Sequence, residues 1–236
     1  MSQSVTPDPI RAASNIPGST PASRSASDPV TLEIEPLAAV SLLGPQIDLM
    51  RAFTNNLADQ GELLGLIGPL ELPRLWSRHI LNCAIVAPLL RPGLVGDVGS
   101  GAGLPGVVLA IARPDVNFVL IEPMERRVAW LNDQVAALHL PNVTVVRARA
   151  EDTRLAHPLD QVTARAVSAF SKLIPLTAPL LRSGGELILM KGEGAEREIQ
   201  AAAKPIRKYR LSKVEVITLG AGVLPEVTRV IRATVE

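Results

Sequence analysis

The densest chemistry in the chain lies between Asp97 and Gly106, where the residues run Asp-Val-Gly-Ser-Gly-Ala-Gly-Leu-Pro-Gly. A short apolar run, Leu94 to Val98, precedes this stretch, and an apolar helical run, Val107 to Ala112, follows it. That order predicts a turn between a strand and a helix. In an open parallel sheet such a turn sits at the ligand-bearing edge, beyond the strand C-termini. Glycine there lets the backbone bend sharply and lets a ligand approach where a Cβ would stand. Gly99, Gly101 and Gly103 are therefore candidate contacts to a small molecule. Glu122 closes the next apolar run, Asn117 to Glu122, and can accept both hydroxyls of a ribose. Ala150 and Glu151 follow the third such run, where an adenine edge would lie.

Two ligand classes fit the turn. Gly101 to Gly106 matches the dinucleotide pattern G-x-G-x-x-G, with Glu122 about 20 residues further on. Counted from Asp97, the same stretch matches D-x-G-x-G-x-G, the motif of methyltransferases that use S-adenosylmethionine. Asp97 would then serve the methionine end of that cofactor, including its ammonium. The methyltransferase motif is favoured because no dehydrogenase catalytic pair is evident: the only tyrosine, Tyr209, lies far along the chain. A nucleotide-binding oxidoreductase stays as an alternative. A P-loop is excluded, since no Gly-Lys-Ser/Thr follows.

The surrounding pattern supplies the scaffold. Apolar runs at 94–98, 117–122, 143–147, 160–166, 185–190, 211–219 and 226–235 predict strands. Helical stretches at 107–112, 125–138, 171–181 and 193–203 alternate with them. That alternation predicts an α/β fold with a Rossmann-like, mostly parallel seven-stranded sheet. Upstream, a helix is expected over 46–59 and a second over 72–89, with Leu75, Trp76, His79, Ile80 and Cys83 on one stripe. Residues 1–35 are rich in Ser, Pro, Ala and Thr and bury too little to offset their ordering entropy. They read as a disordered tail. Residues 36–236 read as one domain, with N-terminal helices over 36–92 and the ligand-binding core over 93–236.

Composition narrows the partners. The 236 residues are 47% hydrophobic and carry 24 basic against 23 acidic side chains, a net charge of +1. That balance excludes a wholesale polycation but permits local basic patches. Aromatics are 3%, too few for a broad base-stacking platform. One cysteine, Cys83, excludes an internal disulfide framework and a zinc–cysteine cluster, and no metal site is expected. No uninterrupted apolar run of 18 residues exists, so no membrane span is expected. No secretory signal is read either, which makes a cytoplasmic protein the expectation.

Taken in order and spacing, DVGSGAGLPG, LIEPMERRVAWL, RARAED, TARAVS and LMKGE resemble the bacterial 16S rRNA guanine-N7 methyltransferase family. Glucose-inhibited division protein B is another name for that family. Arg74-Leu-Trp-Ser-Arg78-His79-Ile-Leu-Asn82-Cys83 is similar to the family's Arg-His-Ile-Leu-Asp-Ser stretch. The resemblance covers residues 45–235 and departs at Asn82-Cys83, which stand where the family has Asp-Ser. It implies S-adenosylmethionine as cofactor and 16S rRNA, or the small ribosomal subunit, as substrate. It further implies that Gly99 and Leu104 line the cofactor site, that Ala150 and Glu151 flank the adenine, and that Arg165 faces both cofactor and incoming base. Arg165 is then a positioning residue, because guanine N7 has no proton for a general base to remove.

RNA contact calls for cations on phosphates. Arg78 and His79 are expected at the rim of an RNA-facing pocket. Lys191, just after the fifth strand, is expected on the same edge. Lys204, Arg207 and Lys208 belong to the densest basic cluster, and Arg126 adds charge on another helix. A monomer is expected. The remaining alternatives are a methyltransferase of another substrate, and a cofactor-binding ribosome assembly factor that catalyses nothing.

Overall fold

The apolar segments at 94–98, 117–121, 159–165 and 185–190 are buried almost throughout, on both faces, which suits central strands of a parallel sheet. The computed structural model describes residues 1–2 and 31–236. The strands are β1 (Leu94–Val98), β2 (Asn117–Ile121), β3 (Val143–Val146), β4 (Leu159–Arg165), β5 (Leu181–Lys191), β6 (Leu211–Leu219) and β7 (Thr228–Val235). They form one sheet in the order β3-β2-β1-β4-β5-β7-β6. The pairs β1–β2, β2–β3, β1–β4 and β4–β5 are parallel; β5–β7 and β6–β7 are antiparallel. The order reverses between β1 and β4, which opens a crevice at their C-terminal ends.

Two apolar layers cover the sheet. On one face α1 (Ala38–Leu43), α2 (Ile47–Gln60), α4 (Gly106–Ala112) and α5 (Glu125–Ala137) share a continuous core with Phe118 and Leu120 of β2. Helix α2 buries Met50, Phe53, Thr54 and Leu57, the three-and-four spacing of one helical face. Each large side chain so buried contributes about 1.5–3 kcal/mol relative to exposure. Asn56 of α2 donates to Gln134 of α5 at 2.9 Å, tying the N-terminal helices to the sheet's own helices. On the other face α6 (Phe170–Thr177), α7 (Ala195–Ala201) and α8 (Ala203–Lys208) pack over Val119, Ile121 and Leu189.

Three expectations need correction. The helix expected over 72–89 is broken into pieces: a 3₁₀ turn at Leu72–Arg74, a π-helical turn at Leu75–Leu81, α3 (Asn82–Ala84) and another 3₁₀ turn at Ala87–Leu89. Leu75 and Trp76 are buried, and so are Ile80 and Leu81, a pair repeating at the five-residue π spacing. His79 therefore leaves the core stripe and turns outward. The tail expected over 1–35 lies outside the described residues for 3–30, but its last residues are tied down. Glu33 donates its N–H to Leu72 O at 2.8 Å, its carboxylate accepts Ser77 N–H at 2.9 Å, and Glu35 pairs with Arg51 at 2.7 Å. Finally, the helix expected over 193–203 continues as α8 to Lys208.

Candidate active site

The crevice between β1 and β4 holds a cleft of about 930 Å³. Its floor is the glycine turn. Gly99 donates to Ile121 O at 2.9 Å, so the turn is sewn to the end of β2. Glu122, only 2% exposed, accepts Gly101 N–H at 2.9 Å and Met124 N–H at 3.0 Å, one on each carboxylate oxygen. Each oxygen keeps lone pairs for a further donor. Gly99 has φ +73°, and a Cβ there would meet Val167 across the cleft at 2.7 Å. Glycine at that position keeps the passage open.

Asp97 lies behind the turn. Its carboxylate is fully buried behind the turn and does not line the cleft. It accepts Gly106 N–H at 3.0 Å on one oxygen and the Thr163 hydroxyl at 3.0 Å on the other. Thr163 is its register partner on β4. Burial pushes the Asp97 carboxyl up to about 6, against the opposing hydrogen bonds. Gly106 is required here, since a Cβ would strike the carboxylate at 2.5 Å as well as the Leu120 side chain. Asp97 thus pins the turn to α4 and the sheet. Gly103 is buried as well. It lies beneath the turn, where a Cβ would meet Val107, and does not line the cleft.

The remaining cofactor candidates converge. Gly99, Gly101, Leu104 and Glu122 line the cleft with Ala150, Glu151 and Arg165. Ala150 is buried and Glu151 exposed in a 3₁₀ turn at Ala150–Asp152, just past β3. Arg127 and Arg149, not singled out above as site residues, also reach the cleft. Arg127 Nη1 stands 4.0 Å from Glu122, and its Nε is buried without a hydrogen-bond partner among the described residues.

A second cleft of about 1070 Å³ opens on the other side of the segment after β4. The two clefts share one wall, made by His79, Arg165, Ala166 and Val167. Ala166 holds φ +56°, a conformation that alanine rarely adopts, immediately after Arg165. Arg165 Nη1 donates to His79 Nδ1 at 3.1 Å, and His79 Nε2 meets Glu71 Oε2 at 2.6 Å. Glu71 also holds Arg74 at 2.6 Å. Burial lowers the His79 pKa, and Arg165 lowers it further; Glu71 opposes both. Burial would raise the Glu71 carboxyl, but its hydrogen bonds to Arg74 and His79 hold it below the ordinary value. No motif marked Glu71; only its position opposite His79 reveals it.

The basic residues expected to meet RNA divide into three groups. Arg78 borders the second cleft, half exposed and paired with Glu226 at 3.0 Å, and Arg229 lies on the same cleft. Lys191 lines that cleft too, but its ammonium is engaged: it donates to Ser168 O at 2.6 Å and pairs with Glu198 at 2.9 Å. It braces the segment after β4, with one N–H left toward the cleft. Arg126, Lys204, Arg207 and Lys208 are exposed and line neither cleft. The α8 cluster runs into β6, whose Leu211 pairs with Val235; the neighbouring Thr234 pairs with Glu186, where β5 joins the parallel sheet. The cluster therefore sits toward the edge opposite the clefts.

Among the described residues, no group of three His, Cys, Asp or Glu side chains is placed to hold a metal. Likewise, no described helix is long and apolar enough to cross a membrane. Cys83 is fully buried, and burial pushes its thiol up to about 11. Asn82, beside it, lines the second cleft and accepts the Thr228 hydroxyl on its backbone oxygen at 3.2 Å.

Residues 46–225 match the family model described as GidB, rRNA small subunit methyltransferase G. A protein of Leifsonia xyli subsp. xyli named ribosomal RNA small subunit methyltransferase G is 74% identical over 206 residues, covering 87% of this chain and 99% of the relative. Its namesake in Clavibacter michiganensis subsp. michiganensis is 69% identical over 208 residues, covering 88% and 99%. Among solved structures, TYW2 of M. jannaschii in complex with AdoMet superposes with a TM-score of 0.52 at 22% identity, over 68% of this chain and 76% of that one. A precorrin-6y C5,15-methyltransferase of Geobacter metallireducens gives 0.51 at 18% identity, over 72% and 91%. These two likenesses show the fold, a Rossmann-like methyltransferase sheet.

Proposed function

The chain belongs to the rRNA small subunit methyltransferase G family, and on that premise we propose that it transfers a methyl group from S-adenosylmethionine to N7 of a guanine in 16S rRNA. The observation that carries the reading is the wall shared by the two clefts. Arg165 lines both clefts, so its guanidinium would face a cofactor on one side and a nucleotide on the other.

The first cleft fits the cofactor. Glu122 offers a buried carboxylate with a free lone pair on each oxygen for a ribose diol, and Gly99 leaves room where a side chain would block the passage. Ala150 and Glu151 bound the far end, where they would flank the adenine. When bound, S-adenosylmethionine supplies an electrophilic methyl group on a cationic sulfur. Arg127 and Arg149 lie along the same cleft as donors for its acceptor groups.

Guanine N7 carries a lone pair and no proton, so the site needs alignment and no general base. The side chains of the wall agree. Both ring nitrogens of His79 are engaged, and the ammonium of Lys191 is engaged. Arg165 has N–H groups to offer an acceptor such as guanine O6, which lies beside N7 on the same base edge. Arg78 and Arg229 at the outer cleft would take the flanking phosphates. The substrate is 16S rRNA or the small subunit, met in the cytoplasm by a single copy of the chain.

Arg165→Ala tests the assignment. It is expected to lower turnover on unmethylated small subunits by about 100-fold, the cost of losing alignment, with the thermal unfolding midpoint little changed. Mass analysis of nucleosides gives the product. A strain lacking the gene is expected to lose one 7-methylguanosine from its 16S rRNA; retention of every 7-methylguanosine there overturns the reading.

A further inference from the structure

We propose that Glu71, acting through His79, is the positioning residue for Arg165: a three-residue relay holds the guanidinium in one orientation on the wall between the clefts. The inference rests on the methyl-transfer reading above and adds to it a residue that no motif contains.

The proton inventory fixes the direction of the relay. Arginine can only donate, so His79 Nδ1, 3.1 Å from Arg165 Nη1, must be the acceptor. The ring proton then sits on Nε2 and is donated to Glu71 Oε2 at 2.6 Å. His79 is therefore neutral, in the Nε2–H tautomer. A protonated ring would set N–H against N–H and break the contact. The carboxylate selects the tautomer, and the tautomer presents the lone pair that Arg165 needs.

Arg165 depends on that lone pair. Its contact with His79 is its side chain's one hydrogen bond among the described residues, and its Nε is buried without a partner. A long side chain so lightly held would sample several rotamers at the wall. The relay removes that freedom while leaving Nη2 unbonded beside the clefts. The anchor is itself tied to its surroundings. Arg74 holds the other Glu71 oxygen, Glu33 N–H grips Leu72 O, and the Glu33 carboxylate accepts Ser77 N–H at the start of the π turn that carries His79.

Glu71, His79 and Arg165 border the first cleft, but its main cofactor supports, Glu122 and the glycine turn, are bonded to each other and not to Glu71. Loss of the relay should therefore slow transfer more than it weakens cofactor binding. The test uses the full chain, unmethylated small subunits and S-adenosylmethionine. Glu71→Ala is expected to lower kcat by about 10–100-fold, the range for a misplaced reacting group, with Kd for S-adenosylmethionine within about 3-fold by calorimetry. Glu71→Gln keeps an oxygen acceptor for Nε2–H and is expected to recover kcat to within about 3-fold of wild type. The double variant Glu71→Ala/His79→Ala is expected to match His79→Ala within about 2-fold, since both break one chain. If Glu71→Ala does not fold, His79→Ala is read with the same two measurements.

Unchanged kcat in Glu71→Ala overturns the relay. So does a loss of cofactor affinity equal to the loss of kcat, or a double variant in which the two losses multiply. A wild-type chain that leaves 16S rRNA unmethylated overturns the functional reading itself, and the relay with it.

Discussion

On the strand side of the site, Asp97 and Glu122 are buried carboxylates, and both hold backbone N–H groups. On the helical side, Glu71 and His79 are only partly buried and hold side chains. The first arrangement fixes the path of the chain. The second fixes the aim of one guanidinium. Changes to the strand side should therefore register first in stability, and changes to the helical side first in turnover.

Gly106→Ala is the hardest test of that contrast. Its Cβ would press on the Asp97 carboxylate and the Leu120 side chain, neither of which has room to retreat. The expected cost is about 2–3 kcal/mol, that of overpacking a close-packed interior, read by urea unfolding. Glu71→Ala, on the opposite wall, is expected to cost less than 1 kcal/mol, roughly that of a part-exposed ion pair. Comparable losses on both sides would erase the distinction.

Asp97→Asn gives a smaller and pH-dependent effect. The folded carboxyl sits at about 6 against an ordinary 3.8, so folding favours its protonated form. That contribution is present in full below about pH 3.8 and is lost as pH rises through about 6. A shift of this size corresponds to about 3 kcal/mol at most. Wild type is therefore expected to lose stability relative to Asp97→Asn between pH 4 and pH 6, then to hold a constant difference. A flat difference across that range would mean that Asp97 titrates as an ordinary surface acid does.

The two walls also differ in what the amino-acid order could disclose. The strand wall is local: Leu94–Val98 and Leu211–Leu219 have the expected bounds, and the glycine turn follows β1 as its spacing demands. Even there, the role of Asp97 was hidden. Its partner Thr163 is brought alongside only by the β1–β4 register, a pairing between segments far apart in the chain. The helical wall is long-range throughout. Three-and-four spacing cannot distinguish an α turn from the π turn at Leu75–Leu81, and that difference moves His79 from the core to the cleft. Glu71 lies in no periodic element and becomes informative only once His79 faces it. Lys191 stands on the expected edge, but its partner Glu198 comes from α7 and is not legible from its own segment.

The basic residues offer the mildest and most discriminating comparison. Density along the chain favours Lys204, Arg207 and Lys208; placement favours Arg78 and Arg229, which border the cleft that meets Arg165. A phosphate contact removed should flatten the dependence of log binding on log salt by about 1. Replacing Arg78 and Arg229 together with Ala is thus expected to flatten the slope for small-subunit binding by about 1–2. Replacing the three α8 cations is expected to change it by less than about 1, although it removes more charge. The comparison separates position from quantity: if the α8 variant flattens the slope more, the RNA wraps past the sheet to its far edge, and the outer cleft is not the principal landing surface.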